Sequence, residues 1–318
     1  MIAVWLEDQL LTVRDDVPDP CPVPDEALIR VRLAGVCGTD LQLVRGYYPF
    51  TGVPGHEFVG QVVASPDDLS WEGVRVVGEI NAVCKQCAAC RAGRSKHCPQ
   101  RSVLGIVDRQ GCFAEYCTLP LGNLHRVPDS VPDECAVFTE PLAAALQIEE
   151  QIEVGPNDQV LVLGAGRLGQ LIARSLSLTG CRLSAAVRHD VQRERLEPLG
   201  VTVYGPGEIP RQQMDIVVEA TGSPSGLEAA LKAVRPAGTV VLKSTYAGTH
   251  SIDFSRLAVD EIRLLGSRCG PFAKALRLLE EQRLDPRDLI EETLTLAQAP
   301  SAFEKSANQG TFKLLLKP

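Results

Sequence analysis

The second half of the chain alternates short apolar runs with helix-length amphipathic runs, and this alternation restricts the fold more than any other feature. It begins near residue 155, and about six strand-like runs follow up to residue 267, among them QVLVLG (159–164) and MDIVVEAT (214–221). Apolar strands separated by helices are typical of βαβ units, whose strands lie parallel in one sheet. We therefore predict a doubly wound α/β domain for this part of the chain.

The first 125 residues have a different pattern, with β-prone runs broken by Pro, Gly and Asp, as in ALIRVRLAGV (27–36) and EFVGQVVA (57–64). This pattern predicts a twisted, mostly antiparallel β domain. The last stretch ends in the β-prone KLLLKP and contains no further βαβ unit, so we expect it to return to the first domain. The predicted boundaries are 1–145, 146–284 and 285–318.

Three glycines form the pattern G-x-G-x-x-G between a predicted strand and a predicted helix: Gly164, Gly166 and Gly169. The first glycine permits a tight turn, the second lets the backbone approach a pyrophosphate, and the third lets helix and strand pack closely. The same letters also occur in ordinary glycine-rich turns, but this context favours a dinucleotide site. We expect the cofactor to contact Gly164, Gly166, Arg167, Leu168, Gly169, Arg188, Thr221 and Ser244, with Tyr246 close to the last of these.

The choice between NAD and NADP depends on the end of the second strand of this domain. An acid there would bind the ribose hydroxyls of NAD. Here Val187 and Arg188 occupy that position, and a guanidinium suits a 2′-phosphate, so NADP is favoured. If the strand extends further, Asp190 restores a preference for NAD. The alternative for Arg188 is a solvated charge at a strand end.

Four cysteines are bunched in the spacing C-x2-C-x2-C-x7-C: Cys84, Cys87, Cys90 and Cys98. Two-residue spacings let a tight turn direct successive thiolates at one point, as in closed tetrahedral zinc sites. The alternative is four unrelated buried thiols. Because the protein supplies all four ligands, we predict a structural zinc in a lobe at about residues 81–100.

A second metal site is indicated by GVCGTD and GHE, which offer Cys37 and His56 beside glycines, and by Glu140, which precedes Pro141 at a predicted helix start. Each alone has an ordinary interpretation: a core cysteine, a surface His–Glu pair, a helix-capping acid. One Cys, one His and one carboxylate would leave a coordination position open, as catalytic zinc requires. Glu57 could serve as an alternating ligand.

The composition limits the partners. Forty acidic residues against 32 basic ones give a net charge of −8, which argues against binding to nucleic acid or anionic membranes. The amino terminus carries Glu7 and Asp8 where a signal peptide needs basic residues, and no stretch approaches a membrane span. We expect a cytoplasmic protein whose partners are small molecules and copies of itself.

These motifs, in this order and over essentially the whole chain, resemble the zinc-containing medium-chain dehydrogenase/reductase family, which includes alcohol, sorbitol and threonine dehydrogenases. Glu140, where the ethanol branch has Cys, resembles the sorbitol and threonine branch. The resemblance implies a GroES-like β domain with a Rossmann domain inserted before the carboxyl-terminal segment, and homodimers or homotetramers. The chain is short for the family, and Gln42 stands where many polyol and threonine dehydrogenases have His.

The implied activity is hydride transfer between NAD(P)(H) and a small alcohol, polyol, aldehyde or ketone whose oxygen lies at the zinc. Thr39, two residues after Cys37, is expected to hydrogen-bond that oxygen and relay its proton. Asp40 is expected to orient the ligands. The alternatives are a zinc-independent enone or quinone reductase on the same fold, and a non-catalytic NADPH-binding sensor.

Overall fold

A computed structural model of the chain describes residues 1–245 and 251–318. Contacts between residues divide the chain into two compact units. The first unit comprises Met1–Glu140 together with Phe272–Pro318, and the second comprises Pro141–Pro271. Tyr246, which the sequence placed near the cofactor, lies outside the described residues.

The described part of the chain contains strands β1 (Ala3–Glu7), β2 (Leu10–Arg14), β3 (Glu26–Gly35), β4 (Glu57–Ala64), β5 (Arg75–Gly78), β6 (Asn81–Ala82), β7 (Ser102–Val103), β8 (Tyr116–Pro120), β9 (Leu124–Arg126), β10 (Gln159–Leu163), β11 (Arg182–Ala186), β12 (Thr202–Tyr204), β13 (Met214–Glu219), β14 (Val234–Leu242), β15 (Arg263–Gly266), β16 (Ile290–Thr295) and β17 (Lys313–Lys317). The helices are α1 (Gly38–Val44), α2 (Ala88–Arg91), α3 (Asp133–Ala136), α4 (Thr139–Gln151), α5 (Arg167–Ser177), α6 (Asp190–Leu196), α7 (Pro224–Ala233), α8 (Phe254–Val259), α9 (Phe272–Glu280) and α10 (Ala299–Ala307).

The second unit is built on a six-stranded sheet in the order β12-β11-β10-β13-β14-β15, and every neighbouring pair is parallel. This is the doubly wound order in which the chain reverses direction across the sheet between β10 and β13. The central strands are apolar because they are buried on both faces, as in VLVL of β10. The predicted parallel α/β sheet is confirmed.

The first unit is built on a seven-stranded sheet in the order β16-β17-β3-β4-β5-β9, with β8 pairing to β3. All its pairs are antiparallel except β16 with β17, so the predicted mostly antiparallel sheet is also confirmed. The carboxyl-terminal β17 pairs with the end of β3 at Leu315 and Gly35, and Gly35 in turn faces Glu57 on β4. Distant parts of the chain therefore meet at this end of the sheet.

None of the described helices is both long and apolar enough to cross a membrane.

Candidate metal centres and dinucleotide site

The four bunched cysteines converge on one point in the first unit. The sulfur of Cys84 lies 3.5 Å from that of Cys98 and 4.0 Å from that of Cys90. The sulfur of Cys87 lies 3.5 Å from Cys90 and 3.8 Å from Cys98. A tetrahedron with zinc–sulfur bonds of about 2.3 Å has edges of about 3.8 Å. The thiols therefore fit the corners of a zinc tetrahedron.

The electrostatics of the lobe also fit a cation. Backbone N–H groups of Gln86 and Cys87 lower the pKa of Cys84 to about 6. Desolvation, together with the neighbouring thiols, raises the pKa of Cys90 to about 12. The protein alone therefore does not hold Cys84 and Cys90 as thiolates together near neutral pH, because burial and neighbouring negative charge disfavour the second thiolate. A divalent cation at the centre removes that conflict.

The second cluster contains Cys37, His56 and Glu57, whose candidate ligand atoms all lie within 4.8 Å of one another. Cys37 follows β3 and caps the amino terminus of α1, while His56 immediately precedes the neighbouring β4 and Glu57 is its first residue. Because β3 and β4 pair antiparallel with Gly35 facing Glu57, the end of one strand meets the start of the next. A Cβ at position 35 would lie 2.6 Å from Oε2 of Glu57, so any larger residue there would displace this carboxylate.

Asp40 orients this cluster from a fully buried position in the first turn of α1. Its Oδ1 lies 3.1 Å from Nδ1 of His56, and its Oδ2 accepts a hydrogen bond of 2.8 Å from the backbone N–H of Cys37. The hydrogen bond at Nδ1 leaves Nε2 of His56 for a metal. Burial by itself lowers the pKa of His56, but Asp40 and Cys37 raise it well above its ordinary value. The pocket thus favours positive charge.

Replacing Asp40 with asparagine is expected to lower the zinc affinity of this site about 10- to 100-fold, because partners that hold ligating imidazoles contribute on that scale. The measurement is competition with a chromogenic chelator, followed as zinc released per chain. Asp129→Asn, at an exposed position, is the matched control. Equal zinc retention in the two variants would show that Asp40 does not support the metal.

Glu57 is held by a lysine that comes from the far end of the chain. Nζ of Lys313, on β17, donates to Oε2 of Glu57 and also contacts the carbonyl of Val36 at 3.4 Å. The other oxygen of Glu57, Oε1, is buried and has no hydrogen-bond partner among the described residues. A buried carboxylate oxygen without a partner costs free energy. A cation between Cys37, His56 and Glu57 would satisfy it.

Thr39 and Glu140 lie outside this cluster. Thr39 is in the first turn of α1 and is partly exposed. Glu140 was expected to precede the helix, but α4 already begins at Thr139, so Glu140 is a first-turn residue with Pro141 after it. The favourable helix dipole remains. In the described part of the chain, the carboxylate grouped with Cys37 and His56 is that of Glu57.

The glycine motif forms the expected turn in the second unit. Gly164 follows β10 with φ +92°, a left-handed conformation that favours glycine. A Cβ on Gly169 would collide with the carbonyl of Gly164, which explains the third glycine. Gly166 caps α5, and none of the described residues has an atom within 4 Å of a Cβ built there, so the turn is open to them at this point. Arg167 and Leu168 begin the helix whose amino terminus faces this opening.

The position that distinguishes NAD from NADP lies just after β11, the second strand of the parallel sheet. β11 stops at Ala186, and Asp190 is the first residue of α6 rather than part of the strand. Val187 is buried and Arg188 is exposed. Among the described residues, the guanidinium of Arg188 has no ion-pair or hydrogen-bond partner. A free cation therefore occupies the strand end where an acid would select NAD.

Thr221 and Ser244 share one buried carboxylate, that of Glu219 at the end of β13. Oε1 of Glu219 accepts from the backbone N–H of Thr221 at 2.7 Å and from its hydroxyl at 2.5 Å. Oε2 accepts from the hydroxyl of Ser244. Glu219 thus ties together the loops that follow two neighbouring parallel strands.

Sequence reasoning missed Lys313, Glu219, Gln170 and Gln192. Lys313 begins an apolar strand, where a charged residue is unexpected. A lysine followed by three leucines was the available sign in the sequence that this charge has a buried partner. Glu219 ends an apolar strand in the same way. The glutamines fit ordinary helix positions, and only their burial marks them.

Comparison with known proteins supports this description. Residues 23–129 match the alcohol dehydrogenase GroES-like domain, and residues 168–281 match the zinc-binding dehydrogenase domain. The chain is 30% identical to D-altritol 5-dehydrogenase of Agrobacterium fabrum, over 99% of this chain and 98% of that protein. It is similar to the structure of a protein assigned as a zinc-binding dehydrogenase from Sinorhizobium meliloti 1021 bound to NADP, with 28% identity, a TM-score of 0.90 and coverage of 100% and 99%. An alcohol dehydrogenase from Escherichia coli CFT073 complexed with NADH gives 26% identity and the same TM-score and coverage.

The chain therefore belongs to the zinc-containing medium-chain dehydrogenase/reductase family. It is a nicotinamide-dependent oxidoreductase of the alcohol dehydrogenase type.

Proposed function

We propose that the chain interconverts a polar secondary alcohol, of the polyol type, and its ketone, using NADP(H) and a zinc held by Cys37, His56 and a carboxylate. The observation that carries the proposal is the convergence of Cys37, His56 and Glu57 around a buried carboxylate oxygen that has no hydrogen-bond partner among the described residues. The polyol class is supported by full-length similarity to D-altritol 5-dehydrogenase. A second zinc, bound by Cys84, Cys87, Cys90 and Cys98, holds the lobe in shape.

When bound, the catalytic zinc supplies a Lewis acid that lowers the pKa of an alcohol or polarises a carbonyl. Cys37 and His56 would hold this ion, and Asp40 orients both residues through the hydrogen bonds described above. Thr39 hydrogen-bonds the substrate oxygen and passes its proton towards solvent. Either Glu140 or Glu57 completes the ligand set, and Lys313 restrains Glu57.

The proposed cofactor is NADP, bound through the glycine turn and the free guanidinium of Arg188. NADPH is typically used for reduction, so we propose ketone reduction as the direction in the cell. The similar structure bound to NADP supports this choice, while another similar structure is complexed with NADH. Because the four cysteines of the lobe form no disulfide and must stay reduced to bind zinc, we place the protein in the cytoplasm.

A substrate screen tests the proposal. Polyols, simple alcohols and the matching ketones are supplied with NAD and NADP in parallel, and turnover is followed at the nicotinamide absorbance. We expect polyols and their ketones to react best, with kcat/KM for NADP(H) at least about tenfold above that for NAD(H). Reduction of enones with no activity on alcohols, or cofactor binding with no turnover of any compound, would refute the proposal.

We also propose that the chain forms a homodimer or homotetramer through the outer edge of β15. This strand ends the six-stranded sheet, and α8 beside it exposes 74% of Phe254 and 81% of Val259. In the part of the chain that the structure describes, no strand pairs with this edge of β15, and an open edge beside exposed apolar side chains suits a second copy of the same surface. Val259→Glu is expected to shift the mass measured by light scattering towards the monomer, whereas Leu69→Glu, also exposed, should not. Equal masses for the two variants would exclude this interface.

A further inference from the structure

Two buried glutamines in the second unit connect the glycine turn to the segment that carries Arg188. Gln170 lies on α5, one residue after the motif, and its side chain is fully buried. Gln192 lies on α6 and is also buried. Neither residue belongs to the glycine motif or to the strand end that selects the cofactor, so their contacts require a separate explanation.

The amide of Gln170 bridges two backbone segments. Its Nε2 donates to the carbonyl of Ala165, inside the glycine turn, and to the carbonyl of Gln192, both at 3.2 Å. The orientation of the amide is determined, because the reverse orientation would place Oε1 against two carbonyl oxygens. Its Oε1 is left buried without a partner among the described residues. An apolar residue would avoid that cost, so helix packing alone does not account for a glutamine here.

The side chain of Gln192 continues the connection. Its Oε1 accepts hydrogen bonds from the backbone N–H groups of Arg188, at 3.0 Å, and His189, at 3.4 Å. These are the two residues between the buried Val187 and the first turn of α6. Gln192 therefore sets the path of the backbone from which the free guanidinium of Arg188 extends.

We propose that Gln170 and Gln192 are positioning residues, and that Gln192 determines the preference for NADP over NAD by holding the backbone of Arg188. The proposal rests on the assignment of Arg188 to the 2′-phosphate made above. Gln170 acts on the part of the site that both cofactors share, since Ala165 lies in the turn that receives the pyrophosphate. Gln192 acts on the part that only NADP uses.

The test compares Kd values for NADPH and NADH, measured by fluorescence titration of the zinc-loaded protein without substrate. Gln192→Met removes the acceptor with little change in shape. It is expected to weaken NADPH binding about tenfold and NADH binding less than about twofold. Gln170→Met is expected to weaken both cofactors by a similar factor of about five, because it loses both donated hydrogen bonds. Thermal melting confirms that each variant is folded.

A double-mutant cycle separates this role from a general packing role. In the Arg188→Ala background, Gln192→Met is expected to leave the ratio of the two Kd values unchanged, because the residue through which it acts is gone. If Gln192→Met changes the ratio of the Kd values for NADPH and NADH equally with and without Arg188, the proposal is overturned. If Arg188→Ala selectively weakens NADPH but Gln192→Met does not, only the role of Gln192 is wrong. If Arg188→Ala leaves the ratio unchanged, the NADP assignment itself fails, and the proposal fails with it.

Discussion

Replacing Cys37 with serine is expected to reduce kcat/KM by at least about a thousandfold, while the Kd for NADPH changes less than about twofold. A serine hydroxyl is a far poorer zinc ligand than a thiolate, and the loss of oriented Lewis-acid catalysis removes several kcal/mol of transition-state stabilisation. The proposed dinucleotide residues lie in the other compact unit, so binding of NADPH should persist. Steady-state kinetics and fluorescence titration measure the two quantities.

Cys21→Ser is the matched control, because it replaces an exposed thiol in the same unit. We expect full activity and an unchanged metal content for this variant. Cys37→Ser should lose one zinc per chain when the metal is measured by atomic absorption. Turnover of Cys37→Ser within about threefold of the unsubstituted protein would eliminate the zinc mechanism and favour the zinc-independent alternative.

The second large effect is expected at the four-cysteine lobe. Cys98 is fully buried, and its sulfur lies 3.5 Å from that of Cys84. Cys98→Ser should release the structural zinc and lower the melting temperature by about 10 °C or more, because the free energy of binding a structural zinc contributes directly to folding. Differential scanning calorimetry and zinc analysis test this expectation.

Cys181→Ser provides the comparison for that experiment, since this thiol lies in the second unit and outside both clusters. It should retain all the zinc and melt within about 2 °C of the unsubstituted protein. A Cys98→Ser protein that keeps its full zinc content would show that the four sulfurs do not form a closed site. The lobe would then be a cluster of reduced thiols, the alternative that the cysteine spacing leaves open.

The contact between Glu57 and Lys313 bears on which carboxylate, that of Glu57 or that of Glu140, would bind the proposed catalytic zinc. The sequence favours Glu140, with Glu57 as an alternating ligand. The structure groups Glu57 with Cys37 and His56 and also ties it to Lys313. A buried ammonium beside the carboxylate offsets its charge and opposes its movement towards a metal. This arrangement supports an alternating role for Glu57, with Lys313 as the competing cation.

Local motifs in the sequence identify much of the candidate site. The spacing of the four cysteines is itself geometric, because two-residue spacings fix where a turn directs its thiolates. Gly164 requires a left-handed conformation, and Gly169 lies too close to the carbonyl of Gly164 for a side chain; both are local requirements of the backbone. The period of the apolar runs likewise determines the parallel sheet of the second unit. Such features depend on neighbours in the chain, so the sequence displays them.

Contacts between distant segments could not be predicted in the same way. Lys313 reaches Glu57 because β17 returns beside β3, across 256 positions of the chain. Gln170 and Gln192 connect the glycine turn to Arg188 because α5 and α6 lie on adjacent βαβ units, and nothing in their sequence neighbourhood marks them. Glu219 likewise accepts hydrogen bonds from Thr221 and Ser244 because the loops after two neighbouring strands lie side by side.

The sequence itself determined the alternation of strands and helices, the glycine turn and the convergence of the four cysteines. Local geometry and burial dictate these features. The tertiary structure alone decided that Glu57 joins Cys37 and His56, that Asp40 orients both ligands, and that Lys313 neutralises the carboxylate. Burial and pairing of these charges depend on strand order and register, and those follow from the packing of the whole unit.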